Sequence, residues 1–199
     1  MRNWMSRILI ALVLMIAVPL VASADTWKID PTHSTVGFSV RHMTISSVGG
    51  QFDKFAGTIT AKGNDPASVS IEATIDTSSI DTRSADRDAD LKSANFLDVA
   101  KYPTMTFKSK KIEAAGGPGK WNVVGDLTLH GVTKEVTLAV DATAPIKDPW
   151  GNTRAGASAT AKISRKDFGL TWNKMIEAGG AVVGDEVSSS IDVEAVKQK

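Results

Sequence analysis

Apolar and polar residues alternate one for one in stretch after stretch of this 199-residue chain, and that periodicity selects strands over helices. Residues 34–41 set Val36, Phe38 and Val40 against Thr35, Gly37 and Ser39, and residues 68–76 set Val69, Ile71, Ala73 and Ile75 against Ser70, Glu72, Thr74 and Asp76. Strand patterns also occupy residues 51–61, 104–113 (Met105, Phe107), 120–130 (Val123, Leu127, Leu129), 133–142 (Val136, Leu138, Val140), 154–163 and 187–196. Turn-rich stretches such as KGNDPAS, AAGGPGK and KDPWGN punctuate them. One segment, SADRDADLKSANFL at residues 84–97, breaks the alternation and reads as a single short helix. Its acidic residues come early, where a helix N-terminus favours negative charge.

Eight antiparallel strands with one apolar face each can close as a two-sheet sandwich or as a barrel. The inner faces are uneven in size. RAGASATAKI, residues 154–163, offers only Ala155, Ala157, Ala159 and Ala161 before Ile163. An eight-stranded barrel is just wide enough to be filled by side chains or to hold one small ligand. A stripe of alanine is therefore either the wall of an apolar cavity or a surface that Phe168, Trp172 and Met175 fold back to cover.

The first 24 residues stand apart. Arg2 and Arg7 precede an apolar run from Ile8 to Val18, Pro19 breaks it, and Ala22-Ser23-Ala24 supplies a small-x-small cleavage site. This is the pattern of a cleaved secretory signal, and the apolar run is shorter than the ~20 residues a spanning helix needs. The expected mature chain, residues 25–199, has a length typical of one domain. Of 23 Lys and Arg against 22 Asp and Glu, the leader takes two basic residues, which leaves a nearly neutral chain without a basic run. That argues against a nucleic-acid partner. There is no cysteine, so neither a disulfide framework, a lipid-modified cysteine nor a thiol nucleophile is available.

Signatures of catalysis and metal binding are thin. The three histidines, His33, His42 and His130, form no HxH or HExxH spacing, and no metal site is expected. His42 shares the parity of Val36, Phe38 and Val40, which points it inward at a strand end; His130 falls on the outward parity or in a turn. DRDADLKSANFL spaces Asp86, Asp88 and Asp90 like a calcium loop but has Leu91 and Leu97 where that loop needs Gly and Glu. GASAT lacks the closing glycine of a nucleophile elbow, and GGPGKW lacks the Ser or Thr of a phosphate loop. No enzyme activity is expected.

Six stretches, in order, resemble the signature blocks of the YceI-like family of bacterial periplasmic and secreted proteins. They are WKIDPTHSTVGFSVRHM from Trp27, GGQFDKFAGTI from Gly49, DLKSANFLDVAKYPTMTFKS from Asp90, VVGDLTLHGVTKEVTL from Val123, DPWGNTRAG from Asp148 and SRKDFGLTWN from Ser164. The resemblance implies an all-β, eight-stranded antiparallel lipocalin-like barrel with one short helix. It also implies an interior that holds an isoprenoid lipid, either a polyprenyl phosphate or a quinone-type chain, in a periplasmic carrier that requires no cofactor. The chain departs from the family pattern at Asp90-Leu91 and Phe96-Leu97, where many members have His-Leu and Phe-Phe. Asp90 would make an anionic pyrophosphate less welcome.

On this reading the ligand meets Val36, Phe38, Val40, Ile71, Ile75, Met105, Phe107, Leu127, Leu129, Ala157, Ala159, Phe168 and Trp172. Leu91, Phe96 and Leu97 on the helix form a lid or end wall, and Arg41, His42 and Arg165 stand at the mouth to meet a head group. Two other readings fit the same residues: an enzyme acting on a lipid or quinone in the cavity, and a ligand-free barrel serving as an interaction or stress protein. Transient membrane contact and a homodimer are compatible with each.

Overall fold

The computed structural model describes residues 24–63, 65–177 and 179–199, so the expected signal segment lies outside the described residues apart from Ala24. Twelve strand segments form one antiparallel sheet that closes on itself. They are β1 (Asp25–Ile29), β2 (Thr35–His42), β3 (Ser46–Phe52), β4 (Phe55–Ala61), β5 (Ser70–Asp76), β6 (Ile80–Asp81), β7 (Thr104–Ala114), β8 (Lys120–Leu129), β9 (Val132–Ala142), β10 (Ile146–Lys147), β11 (Thr153–Ser164) and β12 (Val183–Lys197). The helix α1 spans Ala85–Lys92.

Pairing reduces these segments to eight staves. β1 and β2 lie end to end along one edge of β12, with Ile29 opposite Ala195 and Thr35 opposite Asp192. β3 and β4 likewise run end to end beside them, as do β6 and β5 in turn. The interruptions at Pro31–His33, at Asp53 and Lys54, and at Thr77–Ser79 fall at one level of the barrel and bend three adjacent staves together. From there β7, β8, β9 and β11 follow as neighbours, and β11 pairs with β12 from Arg154–Val196 to Ser164–Glu186 to close the cylinder. Each stave therefore lies beside its neighbours in the chain in up-and-down order, with the β9–β11 seam paired from Ala157–Ala142 to Thr160–Ala139. Tight turns make this order easy: His130 and Gly131, with φ of 52° and 74°, form a two-residue hairpin of the type whose twist matches the strands.

The two ends of the barrel differ. At one end lie the β2–β3 turn, α1, the β8–β9 turn and the long β11–β12 connection. The helix is shorter than residues 84–97, and the chain after Lys92 folds back with the Leu97 amide donating to the Leu91 carbonyl (3.0 Å). Phe96, Leu97, Leu129, Ile80, Phe168 and Leu170 are all buried there and pack as a plug. At the opposite end lie the β4–β5 loop, the β7–β8 hairpin and the loop at residues 143–152.

An ionic clasp fastens that loop to the staves. The Arg154 guanidinium donates to Asp148 Oδ2 (2.8 Å), to Asp30 Oδ2 (3.0 Å) and to Glu194 Oε1. Hydrogen bonds from Thr32, His33 and Arg154 hold the Asp30 carboxyl well below the usual carboxylate range. Burial works to raise the Asp148 carboxyl, but donors from Asn152, Arg154 and the backbone outweigh it and bring it down to about 2 from 3.8. A folded-state pKa below the unfolded value contributes stability above the unfolded pKa and loses it as pH falls through the folded one. Thermal melts from pH 5 to pH 2 should therefore show Tm falling below about pH 4. Arg154→Met should flatten that acid limb, because its carboxylates then titrate nearer their ordinary values.

Candidate functional site

The staves turn hydrocarbon inward and leave the middle of the barrel unfilled. A cavity of about 300 Å³ lies inside the barrel, and among the described residues Arg165 and Ser189 are the only lining residues with polar side chains. Its wall takes Val36, Phe38 and Val40 from β2, Ile71 and Ile75 from β5, Met105 and Phe107 from β7, and Leu127 and Leu129 from β8. Ala157, Ala159, Ala161 and Ile163 line it from β11, and Leu91, Phe96 and Leu97 close its helical end. Val36, Phe38, Val40, Ile71 and the β11 alanines point to the axis yet are only half-buried, because a filled core does not lie in front of them. Such a hydrocarbon-lined space has few partners to hold water and favours an apolar occupant.

A second chamber of about 230 Å³ continues the first toward the opposite end, and the two share Ile59, Ala157 and Val193. Trp27, Ala142, Thr143, Pro145, Ala155, Gly156 and Ala195 complete its lining. The alanine stripe of β11 thus borders both chambers. The opposing β9 and β12 side chains (Val140, Ile191, Val193) are themselves only half-buried and do not fill the gap.

Several expected site residues lie elsewhere. Phe168 is 2% exposed and sits in the plug, outside the cavity wall; Gly169, with φ of 79°, turns the chain after it, so strand parity does not carry across. Trp172 does not line the cavity either; its ring packs on Phe96 with centroids 5.0 Å apart. Met175 is exposed, so this trio does not cover the alanine stripe. His42 ends β2 half-buried between Val183 and Ser46 and is not part of the cavity wall. Arg41 points outward and donates to Ser47 Oγ (3.3 Å) and to the Thr44 carbonyl. His130 lies in its hairpin turn, its ring packed at a tilt against Tyr102 with centroids 4.5 Å apart.

Arg165 does touch the cavity, but as a buried residue and not as a solvated rim. It is 4% exposed, and its Nε and Nη atoms donate to the carbonyls of Gly184 (2.9 Å), Trp172 (2.9 Å), Leu170 and Val183. Burial pushes its pKa down, against the pull of Asp185, whose Oδ1 lies 3.4 Å from Nη2. Ser189, the other polar lining residue, makes no side-chain hydrogen bond among the described residues. Among the described residues, no nucleophile and base face one another across this wall. Outside it, Asp30, His33 and Glu194 bring ligand atoms within 4.8 Å of one another, and the Arg154 guanidinium already pairs with both carboxylates.

Several lining residues lay outside the expected set. Val136, Leu138 and Val140 on β9 and Ile191 and Val193 on β12 were available from the same period-two rule, whereas Ile29, Phe52 and Leu170 flank breaks and turns where parity resets.

An up-and-down barrel with a hydrocarbon interior is a lipocalin-like architecture. The YceI-like domain model matches residues 27–195, and the chain belongs to the YceI-like family. It is 42% identical to Protein YceI of Escherichia coli O157:H7 over 180 residues, covering 89% of this chain and 90% of that protein. Among solved structures, BcnA of Burkholderia cenocepacia superposes with a TM-score of 0.72 at 25% identity, covering 83% of this chain and 98% of BcnA. The polyisoprenoid binding domain from Saccharophagus degradans, implicated in plant cell wall breakdown, shares the fold with a TM-score of 0.61 at 17% identity, covering 86% and 98% of the two chains.

Proposed function

We propose that this protein is an exported carrier that holds one isoprenoid lipid, a polyprenyl phosphate or a quinone-type chain, along the barrel axis. The observation that carries this reading is the two-chamber hydrocarbon interior that runs beside the alanine stripe from Ala161 to Ala155. The first chamber offers on the order of twenty water-sized positions, the scale of about four isoprene units. Burying five carbons gains about 4 kcal/mol, so three units bring about 12 kcal/mol before the cost of lost motion, enough for roughly micromolar retention. The polyisoprenoid binding domain that shares the fold supports the same ligand class. The basic, then apolar, then small-residue pattern of residues 1–24 supports export to the periplasm with the signal removed.

Val36, Phe38, Val40, Ile71, Ile75, Met105, Phe107, Leu127, Leu129, Ala157 and Ala159 are the proposed contacts along the chain of the ligand, with Leu91, Phe96 and Leu97 at its capped end. Solvent extraction of protein isolated from the periplasm without detergent, followed by mass spectrometry, tests the reading. A stoichiometric polyprenoid or quinone is the expected result. A clean extract from protein that also takes up no added geranylgeraniol would sink it.

A further inference from the structure

Among the described residues, four large apolar side chains stand in water: Ile45 (79% exposed), Met175 (77%), Ile146 (66%) and Trp150 (81%). They fall into two pairs at opposite ends of the barrel. Ile45 lies in the β2–β3 turn and Met175 in the β11–β12 connection, segments joined by the Met43 amide donating to the Val182 carbonyl (2.9 Å). Below that pair Phe96, Leu97, Phe168 and Leu170 are buried at the helical end of the barrel, the first two and Leu170 as part of the cavity wall. Ile146 and Trp150 sit on the loop at residues 143–152, and the base of that loop, Thr143 and Pro145, lines the second chamber.

This loop is built, not slack. Asp148 accepts from the Trp150 amide (3.0 Å), the Asn152 amide (2.8 Å), Asn152 Nδ2 (2.9 Å) and Arg154 Nε (2.8 Å). Ile146 and Lys147 pair in register with Arg154 and Thr153, and Gly151 takes the positive φ (86°) that the reversal requires. The framework thus holds an indole and an isoleucine out in solvent, where they contribute nothing to the fold. Exposed apolar groups held rigidly beside an apolar chamber mark an interaction surface.

We propose that the loop at residues 143–152 docks the barrel on a lipid bilayer, with Trp150 and Ile146 entering the interface and the second chamber serving as the portal for the lipid. The proposal rests on the lipid-carrier reading, because a bilayer is the source of such a ligand. The chemistry of the loop suits that partner. Tryptophan favours the boundary between headgroups and acyl chains, where its ring is apolar and its N–H is wet. Lys147 adds one positive charge toward the headgroups, while Asp148, Asp30 and Glu194 share the single Arg154 guanidinium, so attachment rests on the apolar pair and not on charge. Two inserted side chains give weak, reversible attachment, which a carrier that must leave the membrane requires.

The test compares the exported protein with two double variants, Ile146→Ser/Trp150→Ala and Ile45→Ser/Met175→Ala. Flotation with vesicles of phosphatidylethanolamine and phosphatidylglycerol reads docking. Uptake of pyrene-labelled geranylgeraniol, presented either in those vesicles or in free solution, separates docking from cavity binding. The loop variant should float about tenfold less and take up vesicle-borne probe correspondingly more slowly, with solution uptake unchanged. The variant at the plugged end should match the wild type in every readout. Unchanged flotation of the loop variant, or loss confined to Ile45→Ser/Met175→Ala, overturns the proposal. So does a wild-type dimer that the loop substitutions dissociate, since a second copy would then be what covers the loop. Failure of every protein to take up probe from solution would instead count against the lipid-carrier reading, while flotation still decides docking.

Discussion

Replacing Ala159 with leucine is expected to lower uptake of an isoprenoid probe from solution by at least tenfold while leaving the protein as stable as before. Ala159 sits at the middle of β11, opposite Ile191 on β12 and Val140 on β9, and its methyl group faces the cavity. A leucine there places three more carbons in the space that the lipid chain would occupy. In a packed core such an enlargement costs about 1–3 kcal/mol, because neighbours leave their rotamers. In an unfilled cavity it removes void and buries hydrocarbon, so stability holds or rises. The outward neighbour Thr160 provides the control: Thr160→Leu changes side-chain size on the same strand without entering the barrel, and uptake should not move. Geranylgeraniol titration and thermal melts on the three proteins decide the matter. Unchanged uptake with lowered Tm for Ala159→Leu would mean that the interior is core and holds no ligand.

How far the fold was legible follows from what alternation reports. In a barrel each inward side chain faces hydrocarbon and each outward one faces water, so β2, β5, β8, β9 and β11 announce themselves by period two. The first half of β3 does not, since Ser46, Ser47, Gly49 and Gly50 carry no apolar face. Its glycine has a packing reason that only the structure supplies: a Cβ on Gly50 would come within 2.6 Å of the Phe38 ring on the neighbouring stave. The same device recurs at Gly125 under Phe107. The breaks in the first three staves also hide from pattern reading, because Asp30 and Asp76 cap 3₁₀ turns inside what is otherwise continuous strand.

The site was legible to the same extent and failed at the same kind of place. Where a residue lies inside a regular strand, parity put it on the correct wall, as for Phe38, Phe107, Leu129 and the alanines. After Ser164 the chain enters a 3₁₀ turn ending at Gly169, and the alternation that would have carried Phe168 and Trp172 inward no longer applies. Arg41, His42 and Arg165 were grouped as a mouth by their proximity to strand ends. The structure separates them into an outward arginine, a half-buried histidine off the cavity wall and a buried arginine on it.

Arg165 carries the largest expected effect on stability. A guanidinium has five N–H donors in a fixed fork, and here they meet four backbone carbonyls and one carboxylate, all from the segment between Leu170 and Asp185. Two of those carbonyls, of Leu170 and Trp172, begin the connection that crosses the plugged end and two, of Val183 and Gly184, open β12, so one side chain from the end of β11 ties both ends of the return together. Asp185 neutralises it only in part, being half exposed and shared with Lys166 at 2.8 Å. Removing the fork leaves buried acceptors without donors, and Arg165→Met should cost about 3 kcal/mol or more. For a domain of this size that lowers Tm by roughly 10 °C. Arg165→Lys should fall between the two, since a lysine keeps the charge but cannot reach four carbonyls at once. If charge were what mattered, the lysine variant would match the wild type. Because the fork geometry matters, urea melts should rank wild type above lysine and lysine above methionine, and amide exchange should rise first across residues 170–184. A methionine variant as stable as the wild type would show that the connection is held by the plug alone.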